Sequence, residues 1–235
     1  MWNDQHLSRM STCWTLVRQA HGAKGAGASA AQLELLKRYG DVAHRYLLGA
    51  LRDPEAADEL SQEFALRFIR GDFSGLDPAK GRFRDYIKTV LFRLVSNYQK
   101  EQGRRPRPLP AQVALPVVEA DADADFLASW RQELLDRAWK SLQGQNATYH
   151  ALLRLRLDQP DWPAADLAGP LGRQVGKTFT ADSVRKTLQR AREKFADLLL
   201  DEVAFSLENP SRRELERELR EIGLLVYCQP ALEAV

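Results

Sequence analysis

TADSVRKTLQRAREKFADLLL, residues 180 to 200, is an amphipathic segment from which the rest of the chain can be interpreted. Apolar side chains recur in it at the spacing of an α-helix, which predicts one helix with one apolar face. The apolar positions are Val184, Leu188, Ala191, Phe195 and Leu199. Thr180 stands directly before the pattern and is a favourable N-cap, because its hydroxyl can accept a hydrogen bond from an N–H of the first turn.

The face of this helix opposite the apolar stripe is mainly basic. A helical wheel places on it Lys186, Gln189, Arg190 and Glu193, with Arg185 and Arg192 at its edges. A shorter helical pattern, residues 164–171, comes just before it. Two short helices of which the second is basic predict a helix-turn-helix, whose second helix lies in the DNA major groove. The alternative is a solvated surface helix, because motif matches of this kind also occur by chance.

The remainder of the chain shows further helical periods and no alternating strand pattern of useful length. The predicted helices span residues 11–20, 30–51, 55–70, 82–102, 126–142, 147–157 and 211–225. Small and glycine-rich residues 21–29 predict a flexible connection, and residues 71–81 have the composition of turns. We therefore predict an all-α fold with two helical domains.

A proline-rich segment separates the two predicted domains. Prolines 106, 108, 110 and 116 cannot all lie inside one helix, and the run DADAD follows at 121–125. We predict a first domain over 1–105, a linker over 106–125, a second domain with the helix-turn-helix over 126–208, and a helical extension over 209–235. The aspartates fit solvated linker charge better than a calcium loop, because no glycine or closing glutamate follows at the required offsets.

Composition and cysteine usage restrict the class of protein. The net charge is +2, so the overall charge says little about partners. Cys13 and Cys228 are the only cysteines, and they form neither a disulfide framework nor a zinc spacing, so we expect no cofactor or metal. No run of eighteen apolar residues occurs, and the N-terminus lacks the order of a signal peptide. We expect a cytoplasmic protein without membrane attachment.

Two predicted helices of the first domain carry opposite charges. The helix over 55–70 has an acidic face with Asp58, Glu59, Gln62 and Glu63. The helix over 82–102 is basic, with Arg84, Lys88, Arg93 and Lys100. Phe92 falls near the centre of the polar face of the basic helix. Such a ring either packs under the linker or stacks on an unpaired base.

Sequence motifs of enzymes are weak in this chain. GRQVGKT, residues 172–178, resembles part of a phosphate-binding loop, but Leu171 stands where the first glycine is required and no strand precedes it. The best carboxylate group is Asp121, Asp123 and Asp125, in the predicted linker. A nuclease would need a metal site or an activated nucleophile, so we expect no enzyme.

Several segments together resemble one family of transcription proteins. ADELSQEFALRFI at 57–69 and GRFRDYIKTVLFRLVSNYQKE at 81–101 resemble the second conserved domain of bacterial sigma factors of the sigma-70 family, especially the extracytoplasmic-function class. SVRKTLQRAREKF at 183–195 is similar to the recognition helix of their fourth domain. STCWTLVRQA at 11–20 and LLLDEVAFSLENPSRRELERELREIGLL at 198–225 look like planctomycete-type members. The order of these segments is more specific than any one of them.

The resemblance implies a protein without catalytic activity that binds core RNA polymerase and promoter DNA. The acidic helix would contact the clamp of the polymerase through Asp58, Glu59, Gln62 and Glu63. The basic helix would read and melt the minus-ten element through Arg84, Lys88, Phe92, Arg93, Asn97 and Lys100. The last helix would read the minus-thirty-five element through Thr180, Arg185, Lys186, Gln189 and Arg190.

Two features depart from the family pattern, and one alternative stays open. The turn over 173–179 is longer than the usual short turn, and the tail from residue 205 exceeds the minimal architecture. The tail either packs on the second domain, covers the recognition helix, or binds a regulator such as an anti-sigma factor. The alternative function is a stand-alone helix-turn-helix regulator, which leaves the acidic helix unexplained.

Overall fold

The computed structural model describes residues 12–22, 26–70, 77, 81–104 and 121–233. Within these residues the chain forms ten α-helices and no strand, so the predicted all-α class is confirmed. In chain order the helices are α1 Cys13–Gly22, α2 Ala26–Leu51, α3 Pro54–Arg70, α4 Phe83–Arg104, α5 Asp121–Gln145, α6 Ala147–Asp158, α7 Ala164–Val175, α8 Ala181–Phe205, α9 Arg212–Glu221 and α10 Leu225–Glu233. No helix of this part of the chain combines the length and apolar character that crossing a membrane requires.

The described residues divide into two compact units. The N-terminal unit takes residues 12–133 and 205–209, and the C-terminal unit takes 134–204 and 210–233. Residues 121–133 thus group with the N-terminal helices, although the sequence predicted that the second domain begins at residue 126. Most of the predicted linker lies outside the described residues, but its last five residues, 121–125, form the start of α5. That part of the linker prediction was wrong, and aspartates are favourable there because they complement the dipole of the helix.

Aromatic rings form the core of the N-terminal unit. Tyr39 of α2 stacks on Trp130 of α5 with ring centroids 5.6 Å apart, and it lies 4.8 Å from Phe83 of α4. Phe83 also meets Trp14 of α1 and Phe68 of α3 edge-on. Each such ring buries a large apolar area, so one cluster joins five helices.

Helix ends in the N-terminal unit follow the signals in the sequence at one junction and depart from them at another. Asp53 caps α3, because its carboxylate accepts hydrogen bonds from the N–H groups of Glu55 and Ala56 at 3.1 and 3.3 Å. Pro54 is the first helical residue, as predicted. The predicted flexible connection over 21–29 was wrong in part, because α1 runs to Gly22 and α2 begins at Ala26. Residues 71–76 and 78–80 of the predicted turn lie outside the described residues.

Trp139 is central to the C-terminal unit. Its ring lies 4.7 Å from Phe195 of α8 and 5.6 Å from His150 of α6, and the guanidinium of Arg154 stands 4.4 Å above it. Burial, and then the positive charge of Arg154, lowers the pKa of His150. These contacts hold α5, α6 and α8 together around one indole.

The tail contains one more helix than the sequence predicted. Ser211 caps α9 through a capping box with Glu214, but the helix ends at Glu221 rather than near residue 225. Gly223 adopts a left-handed conformation with φ of 72°, which only glycine takes without strain, and α10 follows. Cys228, Ala231 and Leu232 of α10 are buried.

Candidate nucleic-acid interface

The start of α8 is fixed by a reciprocal pair of hydrogen bonds. The N–H of Ser183 donates to Oγ1 of Thr180 at 3.2 Å, and the N–H of Thr180 donates to Oγ of Ser183 at 2.9 Å. Thr180 is therefore the N-cap that the sequence predicted. The predicted apolar face is buried at Val184, Leu188, Ala191 and Leu199, while Phe195 is half-buried.

The opposite face of α8 presents four adjacent polar side chains to solvent. They are Arg185, Lys186, Gln189 and Arg190, and all four are exposed. Arg185 forms an ion pair with Asp182 one turn earlier. The amide of Gln189 donates to Glu193 at 3.0 Å. The face that the sequence predicted for base contacts is thus solvent-accessible. Its long side chains lie side by side on a helix whose opposite face is buried.

The turn before α8 is shorter than predicted. Helix α7 continues to Val175, so residues 176–180 connect the two helices rather than residues 173–179. Gly176 is left-handed with φ of 68°, and its N–H and that of Lys177 both donate to the carbonyl of Gly172. Gly176 therefore ends α7 as its C-cap, while Gly172 lies within the helix and its carbonyl accepts both hydrogen bonds.

The basic face of α4 is smaller than predicted. Arg93, Asn97 and Lys100 are exposed, as expected for residues that contact nucleic acid. Lys88 is half-buried, and its ammonium lies 3.3 Å from Asp123 of α5. The exposed basic face of α4 therefore consists of Arg93, Asn97 and Lys100, and Lys88 lies at its edge beside the acidic start of α5.

Arg84 does not belong to this face, which corrects the prediction. Its side chain is only 3% exposed, so the guanidinium cannot reach a nucleic acid. Arg84, Ile87 and Leu91 follow one another at intervals of three and four, the spacing of a single helix face. This spacing could have revealed the burial, but the charge of Arg84 led to its assignment to solvent.

Phe92 has a partner within the protein. Its ring stacks on that of Tyr46 with centroids 5.6 Å apart and planes inclined by 24°, and its side chain is half-buried. Tyr46 in turn meets Phe126 edge-on at 5.8 Å. Burial, followed by the charges of Asp125 and Asp123, raises the pKa of Tyr46 to about 12. Phe92 therefore packs on α2. The residues directly after 107, under which one of the two predictions placed it, lie outside the described residues.

The acidic face of α3 is exposed at every predicted position. Asp58, Glu59, Gln62 and Glu63 all face solvent. Asp58 bonds the ring of His44 at 3.0 Å, and Glu63 accepts from Nε of Arg67 at 3.1 Å. Two large apolar side chains, Leu66 and Ile69, are exposed on the same helix. A charged face continued by exposed apolar residues is typical of a protein-binding surface.

A groove beside α8 was not predicted. It has a volume of about 900 Å³ and is lined by α5, α6, α8 and α10, with Trp139, Leu153, Leu157, Leu188, Arg192 and Tyr227 among its residues. Arg185 and Gln189 of the predicted DNA-reading face also line it. No pattern in the sequence indicates this groove, because its walls come from four separate segments and one of them, α10, was not predicted.

Other chemistry is sparse in the described part of the chain. It holds no group of three or more His, Cys, Asp or Glu side chains that could bind a metal ion. Cys13 and Cys228 are both buried free thiols. Burial raises the pKa of each, that of Cys228 to about 12, so both thiols stay protonated near neutral pH.

Comparisons with protein-family models, with curated proteins and with solved structures find no match to this chain. The chemistry of the three surfaces on α3, α4 and α8 is therefore the basis on which a function is assigned.

Proposed function

We propose that this chain is a sigma subunit of bacterial RNA polymerase, of the extracytoplasmic-function class. In this role it binds the core polymerase and directs it to promoters in the cytoplasm. The observation that carries the proposal is the exposed row Arg185, Lys186, Gln189 and Arg190 on α8, a helix capped at Thr180 and preceded by a short helix and turn.

Arginine, glutamine and lysine side chains together supply base recognition and phosphate binding. Arginine and glutamine form bidentate hydrogen bonds to guanine and adenine in the major groove, and lysine neutralises phosphates. Because Val184 and Leu188 are buried on the opposite side of α8, the row is held at a fixed orientation. Helix α8 would read the upstream promoter element.

The N-terminal unit would supply the second DNA contact and the polymerase contact. At the downstream promoter element, Arg93 and Lys100 would contact the phosphate backbone and Asn97 a base edge. Lys88 would join them when its ion pair with Asp123 opens. The acidic face of α3, residues 58–63, would bind a basic surface of the polymerase. This division explains why one chain carries separate acidic and basic faces.

The proposed role requires no catalytic group in this chain, because the polymerase performs the synthesis of RNA. It does require that the chain and the polymerase act together. A stand-alone regulator would bind its DNA site without polymerase and would have no need of the α3 face.

Reconstitution with bacterial core polymerase tests the proposal directly. We expect the purified chain to bind core polymerase, and the assembled enzyme to protect two separated DNA elements in a footprint on genomic fragments and to start transcription downstream of them. Sequence-specific DNA binding by the chain alone, with no affinity for core polymerase, would instead support the stand-alone regulator.

A further inference from the structure

Two of the four exposed polar side chains on α8 are held by a carboxylate of the same helix. Asp182, one turn before Arg185, forms an ion pair with its guanidinium. Glu193, one turn after Gln189, accepts a hydrogen bond from its amide nitrogen at 3.0 Å. All four side chains are exposed, and their spacing of three, four and four residues places them along one face of the helix. This face therefore has the order carboxylate, arginine, glutamine, carboxylate.

The stability of the fold is a weak reason for these two pairs. Exposed pairs of residues three or four apart contribute little to the free energy of unfolding. Near DNA, both carboxylates also repel the phosphates and so lower the overall affinity. The side chains of Lys186 and Arg190, by contrast, form no ion pair with any residue that the structure describes. The carboxylates thus act on two particular members of the row.

The ion pair with Asp182 leaves Arg185 able to read a guanine. A guanidinium has five N–H donors, so enough remain for the acceptors O6 and N7 of guanine after one is donated to Asp182. An arginine without such a partner samples many rotamers and can turn to a phosphate instead. Asp182 restricts Arg185 before DNA is bound, so less side-chain entropy is lost when the correct contact forms.

The carboxylate of Glu193 determines the orientation of the Gln189 amide. A carboxylate only accepts hydrogen bonds, so the amide nitrogen of Gln189 faces Glu193 and the amide oxygen does not. The oxygen and the second N–H remain available, and adenine offers the matching N6 donor and N7 acceptor in the major groove. The reversed amide would place two acceptor oxygens in contact and is disfavoured.

We propose that Asp182 and Glu193 are positioning residues for DNA recognition. Asp182 orients Arg185 to read a guanine. Glu193 orients Gln189 to read an adenine. Each carboxylate also acts against wrong sequences, because a side chain that is held in place cannot turn to a phosphate when its base is absent. The inference rests on the proposed function, since it requires α8 to lie in the major groove.

Selection from a pool of DNA duplexes of random sequence tests the two roles. The full-length chain is assembled with core polymerase, the bound duplexes are sequenced, and the base preference at each position is compared between variants. Arg185→Ala and Gln189→Ala identify the positions that these side chains read. We expect Asp182→Ala to reduce the guanine preference by about threefold to tenfold at the position of Arg185 alone. Glu193→Ala should reduce the adenine preference similarly at the position of Gln189 alone.

Asp166→Ala is the matched control for Asp182→Ala. Asp166 is likewise an exposed carboxylate in the first turn of its helix, α7, so its removal reproduces the effects on net charge and on a helix dipole. It should leave every base preference at the wild-type value. An equal effect of the two variants would mean that general charge is responsible and would overturn the role of Asp182.

A double variant separates positioning from direct contact with DNA. Asp182→Ala combined with Arg185→Ala should show the same base preferences as Arg185→Ala alone, because a positioning residue acts only through its partner. A further change in the double variant would mean that Asp182 itself contacts a base, and would overturn its role as a positioning residue.

The outcomes also distinguish this inference from the proposed function. If the wild-type enzyme selects a clear sequence that depends on Arg185 and Gln189, unchanged preferences in Asp182→Ala and Glu193→Ala overturn the positioning roles and leave the proposed function intact. Each carboxylate is judged by its own variant, because its expected effect is confined to one position. If Arg185→Ala and Gln189→Ala change no preference, α8 does not read DNA, and the positioning roles fail together with that part of the proposed function.

Discussion

Phe92 of α4 stacks on Tyr46 of α2, with ring centroids 5.6 Å apart and planes inclined by 24°. From the sequence alone, Phe92 was an unexplained ring on a polar helix face, and a melted base was one of two partners considered for it. Tyr46 now accounts for one face of that ring. The ammonium of Lys88 lies 5.9 Å from its centroid, so a cation also neighbours the ring.

The contact predicts a stability cost for Phe92→Ala. Loss of a half-buried ring and of its stacking on Tyr46 should lower the free energy of unfolding by about 2 kcal/mol, less than the ~3–5 kcal/mol of a fully buried phenylalanine. Urea denaturation followed by circular dichroism measures it. An unchanged free energy of unfolding, together with a specific loss of promoter opening that a pre-melted bubble restores, would instead favour stacking on a base.

The acidic face of α3 predicts a loss of polymerase binding on charge reversal. Asp58→Lys combined with Glu63→Lys should weaken the affinity for core polymerase by at least about tenfold, because like charges across an interface cost several kcal/mol. The fold should survive, since both side chains are exposed and their pairs with His44 and Arg67 lie at the surface.

A matched variant controls for net charge in this experiment. Glu34→Lys combined with Asp41→Lys makes the same change on exposed positions of α2. We expect it to bind core polymerase with wild-type affinity. The assignment of the α3 face fails if both double variants bind equally well.

The row on α8 predicts a promoter defect without a polymerase defect. Arg190→Ala should cost ~1–3 kcal/mol of specific DNA affinity and lower transcription from a promoter with an intact upstream element. Lys186→Ala should act more uniformly across sequences and reduce the salt dependence of binding. Lys140→Ala removes the same charge from an exposed site on α5 and should change neither. Promoter activity that is insensitive to both α8 variants excludes this helix as the reader.

The outcome for α8 and Arg84 shows which features the sequence could predict. Helix α8 was predicted well because its cap and its apolar period agree, and both act locally. Arg84 was predicted on the exposed face of α4 because of its charge, although its spacing from Ile87 and Leu91 indicates the buried face. The start of α5 was missed because DADAD has no apolar period, although Phe126 and Trp130 pack that helix against Tyr46 and Tyr39. Contacts between distant segments determine such features, as they determine the groove.

His150 predicts a pH dependence of stability. Its pKa in the folded chain is lowered by burial and by Arg154, so between that value and the unfolded value of about 6.5 the unfolded chain binds more protons. The corresponding stability is fully present above about pH 6.5 and is lost as the pH falls through the folded pKa. Urea denaturation of wild type and His150→Gln on both sides of this range should show a smaller loss in the variant. An equal loss of unfolding free energy in wild type and His150→Gln would contradict this role of His150.

Gly172 and Gly169 form a matched pair for testing how the turn positions α8. A Cβ at Gly172 would lie 2.6 Å from the carbonyl oxygen of Lys177, a backbone atom that cannot move without shifting the turn. At Gly169, also in α7, a Cβ would meet only the end of the Arg173 side chain at 3.7 Å. Gly172→Ala should therefore destabilise by ~1–3 kcal/mol, whereas Gly169→Ala should stabilise by up to about 1 kcal/mol, as alanine does inside a helix.

The two glycine variants also distinguish an effect on the orientation of α8 from an effect on the stability of the fold. Because the turn over 176–180 sets the orientation of α8, Gly172→Ala should reduce DNA affinity even at temperatures where the variant is fully folded. Its affinity for core polymerase through α3 should stay at the wild-type value, and Gly169→Ala should bind DNA normally. Fluorescence anisotropy with a DNA duplex and a polymerase binding assay measure the two quantities. Normal DNA binding by a folded Gly172→Ala variant would show that DNA recognition does not depend on this turn, and would remove the support that the order of α7, turn and α8 lends to the proposed function.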